Sequence, residues 1–229
     1  MTDHRKTHPA RNPLAQHLVR FGVLAAGVAS VAAAAPAQAS APTTSPARSA
    51  VASDHTFTHA DNLHHTQVKD SFTVRQFGRV NSADVRNQAL AVSAGCSADA
   101  HCRSVAFSFQ IVTLAGHPTH LNALNLSDAA NQHCTGCQTL AGAYQFVVDT
   151  SKPIALRSDT QRKLADVHRR LDALARSAMP AADLKERVDA LAAEVSGILH
   201  DAVAAAHTPE TDGQPAVTVH RHMDGWPGH

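Results

Sequence analysis

One cysteine-led segment occurs twice in this chain. Cys102-Arg-Ser-Val-Ala-Phe-Ser-Phe-Gln-Ile-Val112 and Cys137-Gln-Thr-Leu-Ala-Gly-Ala-Tyr-Gln-Phe-Val147 share the pattern Cys, polar, Ser/Thr, Val/Leu, Ala, any, small, aromatic, Gln, apolar, Val, at an offset of 35 residues. A short run precedes each copy, Ala89-Leu-Ala-Val-Ser93 and Ala123-Leu-Asn-Leu-Ser127, and one more cysteine stands between run and segment, Cys96 in the first copy and Cys134 in the second. A unit of about 25 residues has been duplicated, and the local structure of one copy is expected to hold for the other.

The first copy alternates: Val105, Phe107, Phe109 and Ile111 fall on one parity, Ala106, Ser108, Gln110 and Val112 on the other. Period two with β-branched and aromatic residues predicts a strand with one bulky and one small face. Leu90-Ala-Val92 reads as a preceding strand, so each unit is expected to be a β-hairpin whose loop carries the cysteines. Gly116-His117-Pro118 ends the first unit. In the second copy Cys137, Leu140, Ala141, Tyr144 and Val147 also satisfy a helical stripe, which leaves strand–helix repeats as the alternative. Gln67 to Val80 also alternates. Its stretch Ser71 to Phe77 is faintly similar to Ser104 to Gln110, which suggests a worn third copy. The aromatics Phe72, Phe77, Phe107, Phe109, Tyr144 and Phe146 are expected in the core.

Beyond residue 156 the period changes. Ser158-Asp-Thr-Gln161 fits a capping box. Leu164, Val167, Leu171, Leu174 and Ala178 follow at spacings 3-4-3-4, and Leu184, Val188, Leu191, Val195, Ile198 and Ala202 at 4-3-4-3-4. Each is a narrow apolar seam of coiled-coil type. Pro180 separates them, disfavouring a helical Met179 and suiting the first turn of a new helix. An antiparallel helical hairpin over 157–206 is predicted. The fold class is therefore α+β, with a duplicated cysteine-bearing β domain over 63–156 and the helical hairpin behind it.

The first 39 residues read as address. Arg5, Lys6, Arg11 and Arg20 precede a 15-residue apolar and small run, Phe21 to Ala35, and Ala37-Gln38-Ala39 fits signal-peptidase cleavage. The run is short for a bilayer span of about 20 residues. A cleaved signal peptide over 1–39 and a secreted or envelope-located mature chain are expected. That chain carries 16 basic against 18 acidic residues, with no basic patch, so nucleic acid is not an expected partner. Residues 40–62, rich in Ala, Pro, Ser and Thr, read as a disordered lead-in, and 207–229 as a disordered tail with His220, His222, Trp226 and His229. His55, His59, His64 and His65, like the tail histidines, read as solvated side chains, with metal binding as the alternative.

Four cysteines in an exported chain favour disulfides. Cys96–Cys102 and Cys134–Cys137 would each staple one unit, and pairings between the units stay open, since four cysteines allow three connectivities. A second reading is a zinc site at Cys96, Cys102, Cys134 and Cys137, with His101 and His133 each directly preceding a ligand. A third is thiol–disulfide exchange at Cys134 and Cys137, with His133 lowering a thiol pKa. No His-Glu-x-x-His, Gly-x-Ser-x-Gly, phosphate-binding glycine loop or EF-hand loop is present. No catalytic residue and no cofactor are expected.

The stretch Cys134-Thr-Gly-Cys-Gln-Thr-Leu-Ala-Gly-Ala-Tyr-Gln-Phe-Val-Val148, with the paired run and cysteines ahead of it, resembles a cassette in the C-terminal extracytoplasmic region of actinobacterial peptide zinc metalloproteases. The likeness extends over roughly 63–206, through a Pro-led strand and a two-helix stretch. Two features depart from the family. The peptidase motif is missing, so peptidase activity does not carry over, and the first cysteine loop is Cys-x5-Cys rather than Cys-x2-Cys. The resemblance implies an exported, stand-alone version of an accessory domain. The absence of catalytic constellations predicts a non-catalytic module that binds a peptide, an envelope component or a protein partner.

Overall fold

The structure, a computed structural model, describes residues 48–97, 99–206 and 216–225. The elements run β1 (Arg48–Ala60), β2 (Thr66–Ala94), β3 (Arg103–Ala115), β4 (His120–Gln132), β5 (Gln138–Thr150), α1 (Ser158–Ala175), α2 (Ala181–Ala206) and β6 (Ala216–Asp224). The class is α+β, as expected. The signal sequence expected over 1–39 lies outside the described residues, as do Trp226 and His229. Among the described residues no helix is long and apolar enough to cross a membrane.

The strands wind as three coils through two facing sheets. β2 changes sheets part-way, at a register irregularity between Gln76 and Arg79. The first sheet holds β1, the second half of β2 and β4, all parallel, with Ala52 beside Val85 and Val85 beside Ala123. The second sheet holds the first half of β2, β3 and β5, also parallel, with Phe72 beside Phe109 and Phe109 beside Tyr144. β6 closes the second sheet as an antiparallel strand on β5. One coil is a strand in the first sheet, a turn, and a strand in the second, so stacking coils builds a short parallel solenoid in which each repeat rests on its neighbours.

This topology corrects the hairpin expectation. The two strands of a unit lie in opposite sheets, face to face, and each pairs with the corresponding strand of the adjacent unit. Alternation reports which face of a strand is buried and says nothing about which edge finds which partner. The strand–helix alternative is also set aside, because both cassette segments are strands. A third coil stands where a worn third copy was expected, but its register does not follow the sequence likeness: Ser71 lies beside Ser108, whereas the likeness aligned it with Ser104. The expected disordered lead-in over 40–62 contains β1, and the expected tail over 207–229 contains β6. Polar composition hid both, because they are edge strands with one solvated face and complete their hydrogen bonding on chain that is distant in sequence.

The two faces of β3 and β5 differ in kind. Val105, Phe107, Phe109, Ile111, Leu140, Tyr144, Phe146 and Val148 point outward from the solenoid and form one buried cluster with α1 and α2. Phe109 sits 4.5 Å from Tyr144, 5.8 Å from Phe72 and 6.0 Å from Phe146 between ring centroids. The helical seams cover this layer with Leu164, Val167 and Leu171 from α1 and Leu184, Val188, Val195 and Leu199 from α2. On α2 the buried stripe also includes Ala192 and Val203, wider than the predicted seam, because that helix meets both α1 and the sheet. The capping box does not form. Arg157 is the N-cap residue without a side-chain cap, Ser158 already belongs to the helix, and Gln161 Nε2 instead donates to the Leu156 carbonyl at 2.8 Å. Tyr144 is fixed from above: its hydroxyl donates to Asp189 Oδ1 at 2.6 Å while Arg221 pairs with Asp189 Oδ2 at 2.9 Å. Burial, then the neighbouring Asp189 carboxylate, holds the phenol far above its usual range.

The layer between the sheets combines small and polar residues with an apolar cluster of Val80, Val85, Val112, Leu114 and Val147 beside Ala50, Ala52 and Ala83. Ala89, Ala91, Ala106, Ala141 and Ala143 let the sheets approach closely. Asp54, Asn87 and Asn125 stack in register across the three coils of the first sheet. Asp54 accepts from Ser71 Oγ at 2.8 Å, Thr73 Oγ1 at 3.2 Å and Ser108 Oγ at 3.2 Å. Asn87 Nδ2 donates to Asn125 Oδ1 at 2.9 Å, and Ser108 Oγ donates to Asn87 Oδ1 at 2.6 Å. The repeated glutamine of the cassette belongs to this layer: Gln145 Nε2 donates to Gln110 Oε1 at 3.0 Å and to the Val85 and Leu124 carbonyls of the facing sheet, both at 3.2 Å. These amides tie the sheets to each other, which alanine contacts alone would leave free to slide.

Candidate functional site

The turns at one end of the coils stack over one another and carry all four cysteines. Turn one is 61–65. Asp61 shapes it by accepting the N–H groups of Leu63 at 2.9 Å and His64 at 2.7 Å, which hold its carboxyl below its usual value. Turn two is 95–102 and turn three 133–137. Backbone bonds continue the ladder through them: Gly95 N–H donates to the Gln132 carbonyl at 2.9 Å, Arg103 N–H to His65 at 2.7 Å and Gln138 N–H to Cys102 at 2.8 Å. Turn three needs left-handed backbone at His133 and Gly136, with φ of 50° and 76°. A Cβ on Gly136 would also meet the His101 ring of the turn below at 2.7 Å, so this position is glycine for two reasons.

Cys96 is joined to Cys102 and Cys134 to Cys137, with Cα separations of 6.0 and 5.7 Å. Each bridge closes one turn, and the stacking of coils then brings the bridges together. All four sulfur atoms lie within 4.8 Å of one another. Cys96, Cys102 and Cys137 are buried, and Cys134 is half-buried. Cys102 N–H points at Cys137 Sγ at 3.4 Å, and Cys102 Sγ lies 3.2 Å from the Asp61 carbonyl oxygen. The sequence supplied the four residues. Their convergence depends on the parallel stacking that the hairpin expectation missed.

The histidines do not join this group. His101 lies over Gly136, and His133 is exposed and makes no hydrogen bond to a sulfur. His64 sits beside Asp61, and His65 Nε2 meets the Asn62 carbonyl at 3.0 Å. His55 and His59 are exposed on β1. His222 has a structural role, with its Nδ1 2.7 Å from Ser127 Oγ, where β6 crosses the edge of β4. Among the described residues the cysteine quartet is the one group of three or more side chains placed to hold a metal ion. Arg103, the residue after Cys102, bonds the Gln138 side chain through Nη1, and its buried Nε and Nη2 have no partner. Burial lowers the pKa of that guanidinium.

A second surface escaped the sequence reading. The helices cover the outer face of the second sheet, and no described element covers the outer face of the first. There Phe57 lies beside Leu90 and His59 beside Val92, with Leu124 and Leu126 on the neighbouring strand. Phe57 is 46 % exposed, Leu124 39 % and Leu126 42 %. Strand alternation in 120–132 holds the signal, but both parities there carry apolar residues, so the outward one could not be chosen before the sheets were known. No protein-family model matches this chain, and no curated protein or solved structure is significantly similar to it.

Proposed function

We propose that this chain is an exported, non-catalytic binding module whose docking surface is the bare outer face of the first sheet. The asymmetry of the two sheets carries the reading. The same solenoid has one outer face sealed by a helical pair and the other left with exposed Phe57, Leu124 and Leu126 beside half-buried Leu90 and Val92. Apolar residues sharing a face with Asp84, Arg86 and Asp128, with Arg86 beside Leu124 and Asp128 beside Leu90, have the make-up of a protein-docking surface. Disulfide-bonded cysteines are compatible with an extracellular address. The test is site-specific photocrosslinking of the exported protein in its producing cells. A crosslinker at Leu126 is expected to capture one defined partner protein, and one at Arg169 on α1 to capture none. Equal capture from both positions, or none from Leu126, would sink the proposal.

A second reading, thiol–disulfide exchange through Cys134 and Cys137, has one observation in its favour: Cys134 is the one residue of the four that is half-buried rather than buried. Insulin reduction above background, abolished by Cys137→Ser, would establish it, and background turnover would remove it.

A further inference from the structure

We infer that the stacked turns form a thiol-gated metal site, which takes one tetrahedral thiophilic divalent cation of the zinc class when both disulfides are reduced. A zinc ion with four thiolates at about 2.3 Å requires sulfur atoms about 3.8 Å apart in a tetrahedron. The four sulfurs here already fall within 4.8 Å of one another across two separate turns. Opening the bridges lets each bonded pair spread by side-chain rotation, while the 6.0 and 5.7 Å Cα separations suit two ligands on one metal.

The surroundings agree. Three of the four positions are buried, as closed structural sites are. Cys102 N–H points at Cys137 Sγ, the backbone donation that favours a thiolate over a thiol. Cys134-Thr-Gly-Cys137 places a left-handed glycine just before its second cysteine, which turns the chain so that both sulfurs face the same side. Ladder bonds through the turns join each turn to its neighbour alongside the bridges.

The chemistry balances. A dithiol reductant delivers two electrons and two protons to each bridge and becomes a cyclic disulfide, leaving four cysteine thiols. Binding of one divalent cation then releases four protons and leaves a tetrathiolate centre of net charge −2. The coil ends are therefore locked either by two covalent bridges or by one ion, depending on the redox state of the compartment.

The experiment uses the mature chain, reduced anaerobically with a phosphine and titrated with cobalt(II). One cobalt per chain is expected, with the intense visible bands of a tetrahedral tetrathiolate, displaced by one zinc. The unreduced protein should bind none, and Cys134→Ser should lose the bands. Circular dichroism is recorded in parallel. A reduced chain that loses its sheet signal is expected to regain it with zinc. The inference is overturned if the reduced, folded chain gives no tetrathiolate bands, if one metal serves two chains, if the unreduced protein binds equally, or if zinc fails to restore a lost fold.

Discussion

β3 and β5 each show two different kinds of interior. Their odd or even partners on the helix side, such as Phe109 and Tyr144, meet leucines and valines of α1 and α2. Their neighbours one residue along, Ser108, Gln110 and Gln145, meet amides, hydroxyls and carbonyls of the opposite sheet. The first interior is held by volume and the second by directed bonds. They should therefore fail in different ways. An apolar layer loses stability with each methylene removed, and it tolerates changes of shape at constant volume. A buried polar layer tolerates neither, because each missing partner leaves a desolvated group behind.

The largest effect is expected on the helix side. Phe109→Ala removes the ring at the centre of the aromatic group and should cost about 3–5 kcal/mol in chemical denaturation. A cost under 1 kcal/mol would mean that the helices float on the sheet. The sharper comparison is a pair of size-conserving changes. Leu171→Met should cost less than about 1.5 kcal/mol. Gln145→Leu, which strips bonds from the Val85 and Leu124 carbonyls and from Gln110, should cost about 2–3 kcal/mol on the usual penalty for orphaned groups. Equal losses for the two variants would erase the distinction between the layers.

The smallest effect belongs to turn one. The N–H groups of His64 and Leu63 lower the Asp61 pKa from its ordinary 3.8. A depressed folded-state pKa gives stability that is present above the unfolded value and is lost as pH falls through the folded value. Asp61→Asn should therefore lower stability slightly at neutral pH, match the wild type in acid, and so flatten the acid limb of the stability profile below about pH 4. A variant whose acid limb matches the wild type would remove Asp61 from that role.

Much of this architecture was legible in the residues. The duplicated segment, the bulky and small faces of Val105 to Val112, and the leucine seams each follow from local periodicity, and each is a strand or helix where expected. What stayed hidden was partner choice. Nothing local in Leu90 or Phe107 says that their strands lie in facing sheets rather than side by side. β1 and β6 were missed for a related reason, since a polar edge strand such as His55-Thr-Phe57 gains its structure from a neighbour far along the chain. The cysteine quartet shows the same divide: sequence gave its members, and only the stacked turns gave its 4.8 Å span.

The amide-rich layer has a thermodynamic consequence. Exposing apolar surface on unfolding raises the heat capacity, and exposing polar surface lowers it. Here part of the layer between the sheets, from Asp54 through Asn87, Ser108, Gln110 and Gln145, releases amides and hydroxyls in place of hydrocarbon. The heat-capacity increment per residue should therefore lie below the usual ~12–15 cal/mol/K, and the stability curve should be broad and shallow. A protein built this way keeps a nearly constant margin across a wide span of temperature.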